Sequence, residues 1–429
     1  MIYRNPLAIF LLLALSSCRS VTAQVEQAVD KTINVKAFGA KGDGVADDTR
    51  AIQTAIDHAK AGAKIYFPPG IYDVSNFVVK NRSELAFTGD GQQSVLRMKS
   101  GAARLATVEA SSDIAITNLT FDANGIVSYG GVVFYAVKGV RIENNIFLDR
   151  AAKPIGSTDR YSFVFARGSV PSQDIQIVNN IIEDLQLEVD HAQRVLIDRN
   201  TVKRAIATAG IGIFTIGDKA IAEDYRITNN TILDPPGAGL SVGVDPPTNN
   251  HCIFRRITMA GNKIVRSKTA GYGIRIGTPD SSKKSVGNIF ENIEINNNRI
   301  LLESGAPAQL QQIFFNTSAS AGIRFDRMAV TGNIIESAGP KNRGYVIDLR
   351  RLQNSVVAEN SVKGVTNGIS LGGDLLANEM RNNVVAASDV AYAIAGSLGK
   401  NKTANNRVIG NPKQGWSLST PNPSDSIEQ

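Results

Sequence analysis

Residues 177–184 read IVNNIIED, and the reading of this short stretch decides the fold because the chain keeps returning to it. Its pattern is hydrophobic-x-hydrophobic-x-Asn-Asn-x-hydrophobic. Versions stand at Asn118 (ITNLTF), Asn145 (IENNIFL), Asn200 (LIDRNTV), Asn230 (ITNNTIL), Asn262 (MAGNKIV) and Asn298 (INNNRIL). They continue at Asn333, Asn360, Asn383 and Asn406, eleven copies in all, with neighbours 20 to 36 residues apart. That interval suits one solenoid coil of three short strands, with the surplus in loops. Alternating Ile and Val send one face of each strand inward and the other outward. Asn tolerates the left-handed backbone of a sharp corner. Asn side chains at equivalent corners stack about one strand spacing apart and satisfy one another inside the turn. A β-propeller would need a more regular period with Trp/Asp blade signals, and a leucine-rich repeat its Leu pattern; neither is present. The expectation is an all-β chain, a parallel β-helix of ten or eleven coils.

A solenoid exposes core and sheet edges at its ends unless they are covered. Asp47 and Asp48 precede TRAIQTAIDHAKA, which places Ile52, Ala55, Ile56 and Ala59 at helical spacing behind a capping residue. This predicts an N-terminal capping helix, followed by a strand, a turn at Pro68-Pro69-Gly70 and the next strand. Residues 412–429, rich in Pro, Ser and Asn, read as a disordered tail. A single β-helix domain is therefore expected over 32–411.

Residues 34–57 (NVKAFGAKGDGVADDTRAIQTAID), followed by IYFPPGIY, resemble the start of the pectate-lyase-like superfamily. That start is shared by polygalacturonase-type hydrolases, rhamnogalacturonase-like proteins, C5-epimerases and phage tailspikes. The resemblance covers roughly residues 33–125 and implies that the β-helix is right-handed. It also implies that Asp43, Asp47 and Asp48 build the cap, with Gly42 and Gly44 as turn glycines.

The first residues read as an export signal: Arg4, then the apolar stretch PLAIFLLLAL over 6–15, too short to span a bilayer. Leu15-Ser16-Ser17-Cys18 resembles a bacterial lipobox, which would leave a lipidated Cys18 at the mature N-terminus. Val21-Thr22-Ala23 fits ordinary signal cleavage instead, so the signal is placed at 1–23. The expected location is periplasmic or outer-membrane and cell-surface as a lipoprotein, otherwise secreted. Any membrane contact would run through the lipid on Cys18. With only Cys18 and Cys252 in the chain, a disulfide framework is excluded. The net charge of +7 favours an anionic partner, and the lack of any Lys/Arg-rich run argues against nucleic acid.

In a β-helix, chemistry falls where outward side chains of stacked strands form a groove. Aligning the strand before each Asn corner gives two outward columns. The first contains Val133, Val164, Glu188, Gly212, Ser241, Arg275, Arg324, Asp348 and Ser370. The second contains Tyr135, Ala166, Asp190, Phe214, Gly243, Gly277, Asp326, Arg350 and Gly372. With coils about 4.8 Å apart, Asp326 and Asp348 are expected to approach each other among Arg275, Arg324 and Arg350. The same charges also read as a ladder that stabilises strand stacking. Asp190-His191 offers a carboxylate beside an imidazole, a workable acid–base pair.

Against the polygalacturonase motifs, Arg275-Ile276 resembles the start of Arg-Ile-Lys with Gly277 in the Lys position, and no Gly-His-Gly occurs. The stretch EVDH at 188–191 loosely resembles the Tyr followed by Asp-Pro-His of C5-epimerases, without the Pro and without the nearby Tyr. The resulting expectation is an enzyme that cleaves or modifies an acidic, uronate-type polysaccharide by lyase- or epimerase-like proton abstraction. Asp190 and His191 would act as acid and base, Arg275 and Arg324 would hold carboxylates, and Tyr135, Glu188 and Arg350 would contact substrate. The alternatives are a glycoside hydrolase using Asp326 and Asp348, and a non-catalytic glycan-binding or structural surface protein. No cofactor or metal site is expected from the ligand spacing, although calcium would suit some relatives.

Overall fold

A computed structural model of the chain describes residues 31–126, 131–150, 163–165, 170–206, 208–215, 217–244, 249–278, 285–308, 310–317, 320–338, 344–419 and 422–428. The signal segment with Cys18 lies outside the described residues. The described residues from Thr32 onward form a right-handed parallel β-helix whose strands pair from coil to coil, with register shifts at Asp43/Asp47, across Lys363–Asn367 and at Leu375/Leu376. Three inward columns make the core. One runs Ile177, Ile197, Ile227, Met259, Ile295, Val330, Val357, Met380. The second runs Ile182, Val202, Ile232, Ile264, Ile300, Ile335, Val362, Val385. The third runs Leu187, Ile211, Leu240, Ile274, Ile313, Ile347, Ile369, Tyr392, Trp416. These positions are buried almost throughout. Aromatic rings in one column stack flat, as Phe254 on Phe290 does at 4.6 Å between centroids.

The Asn repeat divides into two jobs. The left-handed residue is the one before the ladder Asn: Asn144, Asn179, Arg199, Asn229, Gly261 and Asn297 all have positive φ. The next residue (Asn145, Asn180, Asn200, Asn230, Asn262, Asn298) is buried and faces inward. Asn145 opens the ladder by accepting the Leu119 N–H; each later Asn receives both the backbone N–H and the side-chain amide of its predecessor on one oxygen, as Asn200 does from Asn180 at 2.9 and 3.0 Å. Its own amide also donates to a strand carbonyl, as Asn200 does to Ile177 at 2.8 Å. A neutral amide can relay the pattern because it accepts and donates at once. The ladder runs to Asn406.

The helix Thr49–His58 buries Ile52, Ala55 and Ile56 against the first coil. Asp48 does not cap it through the side chain. Its carboxylate instead accepts the N–H groups of Lys41 and Gly42 at 2.6 and 3.0 Å, while Asp47 accepts that of Thr49. In place of the tail expected over 412–429, Gln414–Ser419 and Ser426–Ile427 pair with the preceding coil. Asp425 ends a second corner ladder by accepting the N–H of Asn401 at 3.0 Å.

Candidate functional site

The third face carries the outward column Glu188, Gly212, Ser241, Arg275, Phe314, Asp348, Ser370. The expected column therefore holds from Glu188 to Ser370 except at one rung, where Phe314 and not Arg324 follows Arg275; Val133 and Val164 pair with each other in a separate four-stranded sheet. In the second column, Gly277 pairs with Asn316, not Asp326. Arg324 and Asp326 lie on the strand Arg324–Asp326 of another sheet, paired with Ile289 and Glu291. Asp326 and Asp348 are thus on different faces and do not form an acid pair. Ala166 lies outside the described residues.

On its own face, Asp326 belongs to a ladder of charges linking successive coils. Arg327 bonds both Glu291 and Asp326, and Asn354 donates to Asp326 at 2.9 Å. Further along, Arg256 pairs with Asp224 through two hydrogen bonds of 2.6 and 2.9 Å. Of the charges read as a possible stacking ladder, Asp326 alone belongs to this one; Arg275, Asp348 and Arg350 stay on the groove face.

Arg275 is the centre of the groove. Its Nε and Nη2 donate to Ser241 Oγ at 3.3 and 3.1 Å, so the guanidinium leans one coil towards Glu188. The ring of Tyr272 lies 5.7 Å from its guanidinium carbon, and Tyr272 stacks on Phe314 at 5.3 Å, nearly parallel. A cation on an aromatic ring, backed by a second ring, keeps its orientation with part of its edge open to solvent.

The acids flank this centre. Glu188 is buried and accepts Gln186 Nε2 at 2.6 Å. Asp190 is wholly buried and accepts the Phe214 N–H at 2.8 Å. It also helps burial raise the phenol pKa of Tyr225, whose hydroxyl donates to Ala192 O. Phe214 folds over Gly212, where a Cβ would lie 2.5 Å from the ring and would have to displace it. His191 has positive φ and turns the chain towards the next sheet. On the far side, Asp348 is buried and receives a two-pronged hydrogen bond from Arg350 at 3.1 and 3.2 Å. Tyr135 lies beneath Arg104 on the strand Val132–Tyr135 of a separate four-stranded sheet, not in the column of Arg275. Among the described residues, no group of three His, Cys, Asp or Glu side chains is placed to hold a metal ion.

Residues 32–265 match the family described as rhamnogalacturonase A/epimerase, pectate lyase-like. The chain belongs to this family. Mannuronan C5-epimerase AlgE1 of Azotobacter vinelandii is 39% identical over 108 residues, covering 21% of this chain and 8% of that protein. Alginate lyase 7 of the same organism is 37% identical over 107 residues, covering 21% and 12%. The matched stretch is thus a small part of these curated relatives' length. Among solved structures, the Streptococcus pneumoniae surface protein and adhesin PfbA superposes with a TM-score of 0.62 at 17% identity, covering 91% of this chain and 100% of that one. A Yersinia enterocolitica family 28 exopolygalacturonase gives 0.55 at 13% identity, covering 90% and 77%. These structural likenesses establish the fold.

Within this pectate-lyase-like frame, Tyr272, Phe314 and Asn316 are groove residues that the sequence alignment missed. The signal was spacing. The aligned strands beginning at 273 and 322 are 49 residues apart, more than any repeat interval. The omitted strand Ile313–Asn316 fills that gap, with Ile313 and Phe315 inward and Phe314 and Asn316 outward.

Proposed function

We propose that this protein is exported and acts on an acidic, uronate-type polysaccharide by proton abstraction α to a carboxylate. The observation that carries the reading is Arg275, aimed along the groove by Ser241 and Tyr272 in one column with Glu188 and Asp348. A guanidinium fork matches a carboxylate and lowers the cost of the negative charge that develops when the C5 proton leaves. Leaning towards Glu188, it leaves about two coil spacings, roughly 10 Å, to that acid, the scale of a bound uronate and its neighbour. Glu188, in the same column as Arg275, and the Asp190–His191 pair are the proposed acid–base groups. Returning the proton to the opposite face inverts C5; expelling the O4 substituent instead breaks the chain and leaves a 4,5-double bond. The similarity to C5-epimerases and an alginate lyase supports this class of chemistry. Cys18 is the proposed lipid anchor.

A second reading, glycan binding without turnover, is favoured by the engagement of Asp190 with Phe214 and of Asp348 with Arg350. Incubation with alginate, polygalacturonate and mixed uronate polymers separates the cases. Ultraviolet absorbance from unsaturated ends marks a lyase, C5 inversion by NMR an epimerase, and new reducing ends alone a hydrolase. Binding with none of these leaves the non-catalytic reading. Absence of both binding and turnover across the panel sinks the proposal.

A further inference from the structure

Arg266 stands where a core residue belongs. Its strand Lys263–Arg266 pairs with Arg299–Leu302, which sets Arg266 opposite Leu302, an inward apolar position of the next coil. The Arg266 side chain is 0% exposed. All its hydrogen bonds go to neutral oxygens. Nη1 donates to Pro235 O at 2.7 Å and Thr269 Oγ1 at 3.2 Å, and Nη2 donates to Gly237 O at 2.6 Å and to Tyr272 O. Asp234, the nearby acid, is occupied with Ser267 and the Lys268 N–H. Burial pushes the guanidinium down to about 10.

A buried charge without a carboxylate bonded to it is a poor way to stabilise a core, and an apolar side chain of similar volume often serves as well or better. Leu302 shows that this column accepts one. What Arg266 holds is the corner that opens the groove strand Tyr272–Gly277. Its Nη2 takes the Tyr272 carbonyl, and the equally buried Gln312 donates through Nε2 to Gly271 O at 3.1 Å. Gly271 sits at φ +151, and a Cβ there would lie 2.0 Å from Gly237 O and 3.0 Å from both terminal nitrogens of Arg266. The corner has one backbone path, and buried donors fix its two carbonyls.

We propose that Arg266 is a positioning residue for the groove: by fixing the Gly271–Tyr272 corner it sets the Phe314–Tyr272 stack on which Arg275 lies. What the stack does rests on the function proposed above; the geometry does not. The test uses the protein with 13C-labelled tyrosines, the Tyr272 ring being assigned by its loss in Tyr272→Phe. In the unaltered protein, the stacked Phe314 ring is expected to shift that resonance upfield. Arg266→Leu is expected to keep cooperative melting and to lose the ring shift, while affinity for alginate or polygalacturonate oligomers falls by at least about tenfold. Arg266→Lys, which keeps a cation but reaches fewer carbonyls, falls between, and supplies the reading where the Leu variant does not fold. A Tyr272 resonance unchanged in the variants that fold overturns the proposal, whatever happens to the melting temperature. Absence of uronate binding in the unaltered protein overturns the functional reading instead, and the ring shift still decides the positioning role.

Discussion

Asn230 donates twice to a single atom: its backbone N–H and its side-chain Nδ2 both reach Oδ1 of Asn262 at 3.0 Å. Asn262→Ala removes that acceptor from two buried donors and also strips Ile227 O of the amide that reaches it at 2.8 Å. Each buried polar group left unsatisfied costs about 1–3 kcal/mol, so with three of them the variant is expected to lose about 3–9 kcal/mol in urea unfolding. Asn406→Ala, at the half-buried end of the ladder, should cost clearly less. Equal losses at both sites would show that the ladder does not carry the stability assigned to it.

Ser241 is the side chain that turns Arg275 along the groove. Ser241→Ala removes a hydrogen bond worth about 1 kcal/mol, so affinity for a uronate oligomer should fall roughly fivefold while the melting curve stays in place. Arg275→Lys keeps the charge but loses the fork, and should weaken binding more, by about tenfold or beyond. Calorimetry on the two variants ranks them; a Ser241 effect larger than the Arg275 effect would place the carboxylate contact elsewhere.

How much of this was legible depended on whether the pattern was local. The Asn corners and the inward Ile/Val columns repeat within a few residues, so the coil and its register could be read directly. The division of the Asn pair into a left-handed residue and a ladder residue could not, because the copies with Arg199, Gly261 and Gly332 show only half of it. Glu188, Ser241, Arg275 and Asp348 were placed in one column correctly, since each lies on a strand with clear alternation. Arg324 and Asp326 were misplaced because GIRFDR imitates GIRIGT, while the true rung, IFFN, lacks the leading Gly. Arg266 gives no signal at all: a lone Arg after an apolar pair reads as surface.

Asp326 makes that correction testable. Because it lies in the inter-coil ladder with Arg327 and Asn354 rather than in the groove, Asp326→Asn should leave uronate binding and turnover unchanged. A loss of about 1 kcal/mol in stability is expected, as Arg327 is half exposed and keeps Glu291. A variant that folds normally but loses turnover would return Asp326 to the site.

The acid response of the N-terminal region follows from Asp47. The hydrogen bond from the Lys99 ammonium holds its carboxyl well below the usual range, at about 2, with the Thr49 side chain and N–H adding to the effect. A carboxylate whose folded pKa is depressed contributes stability that is full above its unfolded value, about 3.9, and disappears as pH falls through the folded one. Stability should therefore drop between about pH 4 and pH 2 in part through this group. Lys99→Ala removes the largest cause of the shift, so the melting temperature of that variant should depend less steeply on pH across the same window. The pair is partly exposed, so salt should shrink the difference. An identical pH slope in the variant and the unaltered protein at low salt would remove Asp47 from the account.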